Sequence, residues 1–124
     1  MKILVAEDEP ILLKTIELRL KKDGHEVITS VNGREALEKI EELQPDLIIA
    51  DIMMPFASGL EIVAMVKKKA LTMPVIILSA MEQENVVLEA FQLGADDYIT
   101  KPFSLNELSV RVKRFALTHA SRNL

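Results

Sequence analysis

Three acids in a row, Glu7, Asp8 and Glu9, follow the short apolar run KILVA, and another acid, Asp51, closes the run LIIA. A hydroxyl, Ser79, closes VIIL, and a lysine, Lys101, follows DYIT. Clustered carboxylates repel one another unless a cation joins them. Asp8 and Asp51, with Glu7 near, make a hard oxygen site whose natural occupant is Mg2+, held by one or two carboxylates together with waters and phosphate oxygens. Lys101 adds a point charge and Ser79 a hydrogen-bond donor. Metal, lysine and donor are what a phosphoryl group needs to neutralise and orient its oxygens. Asp51 is then the carboxylate placed to act as nucleophile, giving an aspartyl phosphate.

Each of these residues has a plain reading when taken singly. An Asp after a strand is often a turn residue or helix cap. Glu7-Asp8-Glu9 can be a solvated acidic helix start favoured by the dipole. Ser79 can be structural and Lys101 a surface charge. The functional reading rests on all four meeting in one place, so it depends on the elements that carry them.

Short β-branched runs alternate with longer helical patterns. KILVA, EVITSV, DLIIAD, PVIILSA and DYIT read as strands. Between them lie helices with clear punctuation. Pro10 opens the first and Gly24 stops it, with Leu12, Ile16 and Leu20 on one face. Asn32 caps the second, whose apolar face is Ala36, Leu37, Ile40 and Leu43. LEIVAMVKKKA and ENVVLEAFQLG follow, then LNELSVRVKRFAL with Ser104 as cap. Strands apolar on both faces belong in a parallel sheet covered by helices. The βα order, repeated five times, predicts a flavodoxin-like, doubly wound α/β sandwich with strand order 2-1-3-4-5. In such a sheet ligands sit outside the carboxyl ends of the strands. Strands 1, 3, 4 and 5 deliver the acids, Asp51, Ser79 and Lys101 to that edge. Strand 2 delivers Asn32 and Gly33 and falls outside the cluster. Residues 1–119 form the expected domain, and 120–124 a tail or the start of a linker, within the loosely structured THASRNL.

The 124 residues suffice for one domain, and 49% hydrophobic with 27% charged residues is a soluble globular composition. A net charge of −4 does not suggest a nucleic-acid surface. There is no cysteine, which excludes thiolate chemistry and suits a reducing cytoplasmic setting. The N-terminal apolar run is too short for a signal peptide or membrane span. His25 and His119 are too few and scattered for a metal site.

The segments VAEDEP, DIMMPFASG, ILSA and GADDYITKPF resemble the signature segments of two-component response-regulator receiver domains, over most of the chain from Lys2 to about Leu117. The resemblance implies that Asp51 is the phosphoacceptor and takes its phosphoryl group from a sensor histidine kinase. Glu7, Asp8 and Asp51, with the backbone carbonyl of Met53, would hold Mg2+. Ser79 would be the switch hydroxyl, Tyr98 the switch aromatic and Lys101 the phosphate-binding lysine, joined to Pro102 by a cis bond. On phosphorylation Ser79 is drawn inward, Tyr98 rotates after it, and the face of helix 4, strand 5 and helix 5 changes shape. Met53 and Met81 would flank the phosphoryl group, and since neither can hydrogen-bond an attacking water, self-hydrolysis should be slow.

ADDYITKPFSLNELSVRVKR is similar to the dimerising face of the OmpR/PhoB subfamily, whose members carry a winged-helix DNA-binding domain. That similarity implies a homodimer on phosphorylation, with Asp97 of one subunit paired to Arg111 of the other. Leu88 and Phe91 would pack between them, ringed by Asp96, Glu107 and Lys113. Val86, Ala90 and Leu93 are expected to face the core. Val87 stands where the subfamily has a lysine or arginine opposite Glu107, so that ion pair is missing. DNA would be reached only through an output domain outside this chain. A free-standing single-domain regulator or phosphorelay intermediate is the alternative. A haloacid-dehalogenase-like phosphatase would need an Asp where Met53 stands, and an FMN binder would need hydroxyls where the three acids stand. The chain therefore reads as a signalling switch rather than an enzyme.

Overall fold

The computed structural model describes residues 1–122. Five strands alternate with five helices: β1 (Lys2–Ala6), α1 (Pro10–Lys22), β2 (Glu26–Ser30), α2 (Gly33–Leu43), β3 (Leu47–Asp51), α3 (Gly59–Lys68), β4 (Val75–Ser79), α4 (Glu84–Leu93), β5 (Asp97–Thr100) and α5 (Leu105–Arg122). All strand pairs are parallel and the order is β2-β1-β3-β4-β5, as the sequence predicts. The register pairs Ala6 with Ala50, Asp51 with Leu78, and Ser79 with Thr100. The strands that carry the acids, the hydroxyl and the lysine therefore end together at one edge.

Alternation along each strand divides the core into two layers. Leu4, Ile48, Ala50, Val75 and Ile77 face α2, α3 and α4, where they meet Ala36, Ile40, Ile62, Val66 and Ala90. Ile3, Val5, Ile49, Ile76 and Leu78 face α1 and α5, where they meet Leu13, Ile16, Leu20, Leu108 and Val112. β1, β3 and β4 are buried on both sides, so the site at their ends is mounted on the central strands of the core.

The caps explain the helix starts. Asn32 Oδ1 accepts from Glu35 N–H at 2.8 Å, Ser58 Oγ from Glu61 N–H at 3.2 Å and Ser104 Oγ from Glu107 N–H at 3.0 Å. Gly94, at φ 115°, ends α4, and Gly24, at φ 97°, follows α1.

Some stripes are rotated from the sequence expectation. On α1 it is Leu13, not Leu12, that is fully in the core with Ile16 and Leu20, while Leu12 packs at its rim. On α2 Leu43, the helix's last residue, is exposed rather than on the buried face with Ala36 and Ile40. On α4 Val86 and Ala90 face the core as expected, but Leu93 lies on the surface and Val87 packs against the core instead. The expected loose tail is partly helical, since α5 continues through 118–122; residues 123–124 lie outside the described residues. No helix among the described residues is long and apolar enough to cross a membrane.

Candidate functional site

Lys101 sits at the centre of the acidic cluster. Its ammonium donates to Asp51 Oδ2 at 2.6 Å and to Glu7 Oε1 at 2.8 Å, with Glu9 Oε2 at 3.4 Å. β5 delivers it, and its backbone N–H donates to the Ser79 carbonyl at 2.7 Å, so lysine and hydroxyl share one ladder. The Lys101–Pro102 peptide bond is cis.

The carboxylates differ in environment. Glu7 is fully buried and Asp51 nearly so, while Asp8 is exposed. Burial pushes the Glu7 carboxyl from its ordinary 4.5 to about 7; the Lys101 hydrogen bond pulls it down and neighbouring Asp51 pushes it up again. Burial also works against the charge on Lys101, but its hydrogen bonds to Asp51 and Glu7 outweigh that and hold its pKa above the ordinary lysine value. Lys101 thus remains an ammonium while Glu7 is poised to lose a proton near neutrality.

Asp51 uses both oxygens. Oδ1 accepts from Met53 N–H at 3.1 Å and Oδ2 from Lys101. Glu7, Asp8 and Asp51 each offer a carboxylate oxygen, all within 4.8 Å of one another. Fully ionised, three carboxylates and one ammonium leave about two negative charges, the charge a divalent cation cancels. An all-oxygen donor set of this kind fits Mg2+ better than Zn2+, which prefers nitrogen and sulfur. Asp8, Met53 and Met54 line a cleft beside this group, with Ile52, Pro55 and Ser58.

Ser79 is fully buried, and its Oγ accepts from Met81 N–H at 2.9 Å. The Tyr98 hydroxyl donates to the Met81 carbonyl at 2.7 Å. The backbone of Met81 therefore bridges the hydroxyl and the aromatic. Tyr98 already lies inward, 9% exposed, with the Phe91 ring 6.5 Å away, centre to centre, and half exposed on α4.

The residues expected at a dimer face lie in two places. Leu88 and Phe91 are exposed on α4, 50% and 45%. Arg111 pairs within its own chain, with Asp97 Oδ1 at 2.7 Å and Glu107 Oε1 at 3.5 Å. Asp96 is at the opposite end of the sheet from the acidic cluster, where its Oδ2 accepts from Val75 N–H at 2.8 Å. Its N–H and the Val75 carbonyl close the same link, at 2.9 Å.

Sequence reasoning missed the backbone supports of the site. A Cβ on Gly59 would lie 2.6 Å from the Asp51 carbonyl oxygen, so only glycine lets α3 begin against the acid's own peptide. Glu7 N–H donates to the Ser30 carbonyl at 3.1 Å, so β2 supports the cluster although it supplies no ligand. A glycine immediately after a helix cap, where most residues would serve, was the available signal.

The sequence pattern of the response regulator receiver domain family matches residues 3–113. The chain is 41% identical over 112 residues to the alkaline phosphatase synthesis transcriptional regulatory protein PhoP of Bacillus subtilis (strain 168), covering 90% of this chain and 47% of that protein. It thus spans about half the length of this relative. Among solved structures, the Francisella response regulator 1452 receiver domain matches with a TM-score of 0.88 at 36% identity, over 92% of this chain and 94% of that one. The Thermotoga maritima OmpR/PhoB homologue DrrB matches with a TM-score of 0.86 at 36% identity, over 95% of this chain and 53% of that one.

Proposed function

Because the chain belongs to the response regulator receiver domain family of two-component systems, we propose that it accepts a phosphoryl group on Asp51 from the phosphohistidine of a sensor kinase. The observation that carries this reading is the pairing of a nearly buried Asp51 with Lys101 at 2.6 Å, inside a cluster of three carboxylates. A carboxylate oxygen of Asp51 attacks phosphorus, the P–O bond forms as the P–N bond breaks, and the imidazole leaves with the electron pair. Lys101, held charged by its neighbours, moves from balancing Asp51 to balancing the phosphoryl oxygens. Glu7, Asp8, Asp51 and the Met53 carbonyl would hold Mg2+, which when bound neutralises phosphoryl charge during transfer.

The added dianion then accepts from the Ser79 O–H and draws the hydroxyl toward the phosphoryl oxygens. Reorienting Ser79 disturbs its bond to Met81 N–H, and the Met81 carbonyl is the acceptor of Tyr98. The inward seat of Tyr98 is therefore coupled, through one residue's backbone, to the phosphorylation state. Phe91, packed near Tyr98, carries the change to the α4–β5–α5 surface. Leu88, Phe91 and Arg111 on that surface support a homodimer as the output. Its formation requires Arg111 to exchange Asp97 of its own chain for Asp97 of a second copy, an isologous swap at no change in charge pairing. The PhoP relative is named a transcriptional regulator, which favours control of transcription through a DNA-binding domain outside this chain.

Intact-mass measurement after incubation with acetyl phosphate and Mg2+ tests the reading. The expected result is a gain of one phosphoryl group that Asp51→Asn abolishes. No adduct from any donor, or an adduct that survives Asp51→Asn, overturns it.

A further inference from the structure

Phe56 is an anomaly three residues before α3 begins. It is 69% exposed and holds φ at 72°, the left-handed region that bulky side chains avoid. The Pro55 carbonyl accepts from Ala57 N–H at 2.9 Å, so Phe56 is the middle residue of a three-residue γ-turn of the strained hand. Such strain persists only where surrounding contacts over-determine the backbone.

Those contacts come from the first two residues of α2. Gly33 N–H donates to the same Pro55 carbonyl at 3.1 Å, giving that oxygen two donors. A Cβ on Gly33 would fall 1.9 Å from the Ala57 carbonyl oxygen, so the helix start is in direct backbone contact with the turn. Arg34, next along, places its guanidinium 4.4 Å from the centre of the Phe56 ring. The turn begins two residues after Met53, whose N–H is bonded to Asp51. Whatever holds the turn also limits where the Met53 carbonyl can point.

We propose that Arg34 is a positioning residue for the acidic pocket: stacked on Phe56, it holds the strained turn and so preorganises the Met53 carbonyl for a divalent cation. The inference rests on the reading of the pocket as a Mg2+-dependent phosphoacceptor. It makes β2 and α2, which supply no ligand, the outer brace of the site. It also gives a sign that electrostatics alone does not. Removing a cation from beside an acidic pocket should tighten Mg2+ binding, whereas removing the brace should weaken it.

The test titrates Mg2+ into wild type, Arg34→Ala, Arg34→Lys, Phe56→Gly and the Arg34→Ala/Phe56→Gly pair, read by calorimetry and by the phosphorylation rate with acetyl phosphate. Glycine reaches positive φ without strain, so Phe56→Gly needs no brace. Arg34→Ala is expected to raise the half-saturating Mg2+ concentration about two- to fivefold, the factor that an exposed cation–π contact represents. Arg34→Lys should restore most of it. The shift should fall on the Mg2+ concentration for half-maximal rate rather than on the maximal rate. In the Phe56→Gly background, removing Arg34 should not weaken binding. Unchanged or tighter binding in Arg34→Ala overturns the proposal, as does an equal loss in both backgrounds. If wild type takes phosphate with Mg2+ and Arg34→Ala matches it, only the brace fails. If wild type neither binds Mg2+ nor takes phosphate, the reading of the pocket fails and the brace with it.

Discussion

Glu7→Gln should stabilise the metal-free protein at pH 8 and do little at pH 5. Glu7 is fully buried, and its carboxyl is raised from 4.5 to about 7. Below 4.5 the group is protonated in both folded and unfolded chains and the raised pKa has no effect on stability lost or gained. Between 4.5 and about 7 the unfolded chain releases the proton and the folded chain keeps it, so folding stability falls as pH rises. Each pH unit of that window is worth about 1.4 kcal/mol, which makes the full effect about 3 kcal/mol, or roughly 10 °C in Tm for a chain of this size. Glutamine keeps an oxygen for Lys101 and has no proton to lose; it gives up the bond that Oε2 accepts from Glu9 N–H at 3.2 Å, a loss that is the same at every pH where Glu7 is compared as a neutral acid. The quantity to measure is the difference in unfolding free energy between Glu7→Gln and wild type, by circular dichroism in EDTA, from pH 5 to 8. Titrating groups that do not touch Glu7, such as His25 with its pKa lowered by burial and by the N-terminal charge, cancel in that difference. The expected difference grows in favour of glutamine by about 3 kcal/mol across the range, and added Mg2+ reverses it at pH 8 by binding only wild type well. A difference that does not change with pH refutes the argument that burial raises this carboxyl.

Lys101→Ala should lower metal-free stability by about 2–3 kcal/mol, since it strands Glu7 and Asp51 together; Mg2+ should then raise Tm more than in wild type, while phosphorylation slows. Gly59→Ala should cost about 1–3 kcal/mol and slow phosphorylation, because its Cβ meets the Asp51 carbonyl at 2.6 Å; unaltered chemical denaturation would show that α3 can shift freely. Met53→Asn with Met81→Glu should speed loss of phosphate by giving an attacking water hydrogen-bond partners, as followed by intact mass over time; an unchanged half-life means the methionines only fill space. Arg111→Ala should weaken phosphorylation-dependent dimers in sedimentation velocity and, by leaving the largely buried Asp97 only the longer Arg114 contact at 4.0 Å and the Tyr98 N–H, lower monomer stability by about 1 kcal/mol.

The repeating βα order, the strand sequence of the sheet and the ends at which the reactive residues emerge were all legible in the chain. These are local matters. A buried strand is a run of β-branched residues, a helix start is an Asn32 or Ser104 with an N–H three residues on, and right-handed crossovers then leave few ways to order the strands. The meeting of Glu7, Asp8, Asp51, Ser79 and Lys101 at one edge followed from that order.

What the residues do to one another did not follow. Periodicity is blind to the rotation of a helix by one position, which decided Leu13 over Leu12 and put Leu93 rather than Val87 on the surface. Asp96 and Asp97 are neighbours in the chain, yet one is bonded to the Val75 backbone and the other to Arg111. Gly33 looked like an ordinary helix start outside the cluster until the Ala57 carbonyl proved to lie where its Cβ would be. The sequence by itself determined which elements form and which edge bears the chemistry, because capping, alternation and crossover handedness act within a few residues or one βα unit. Only the tertiary structure decided how Lys101 divides its charge between Glu7 and Asp51 and how α2 grips the loop after β3. Those contacts join residues far apart in the chain, and a shift of an ångström in packing makes or breaks them.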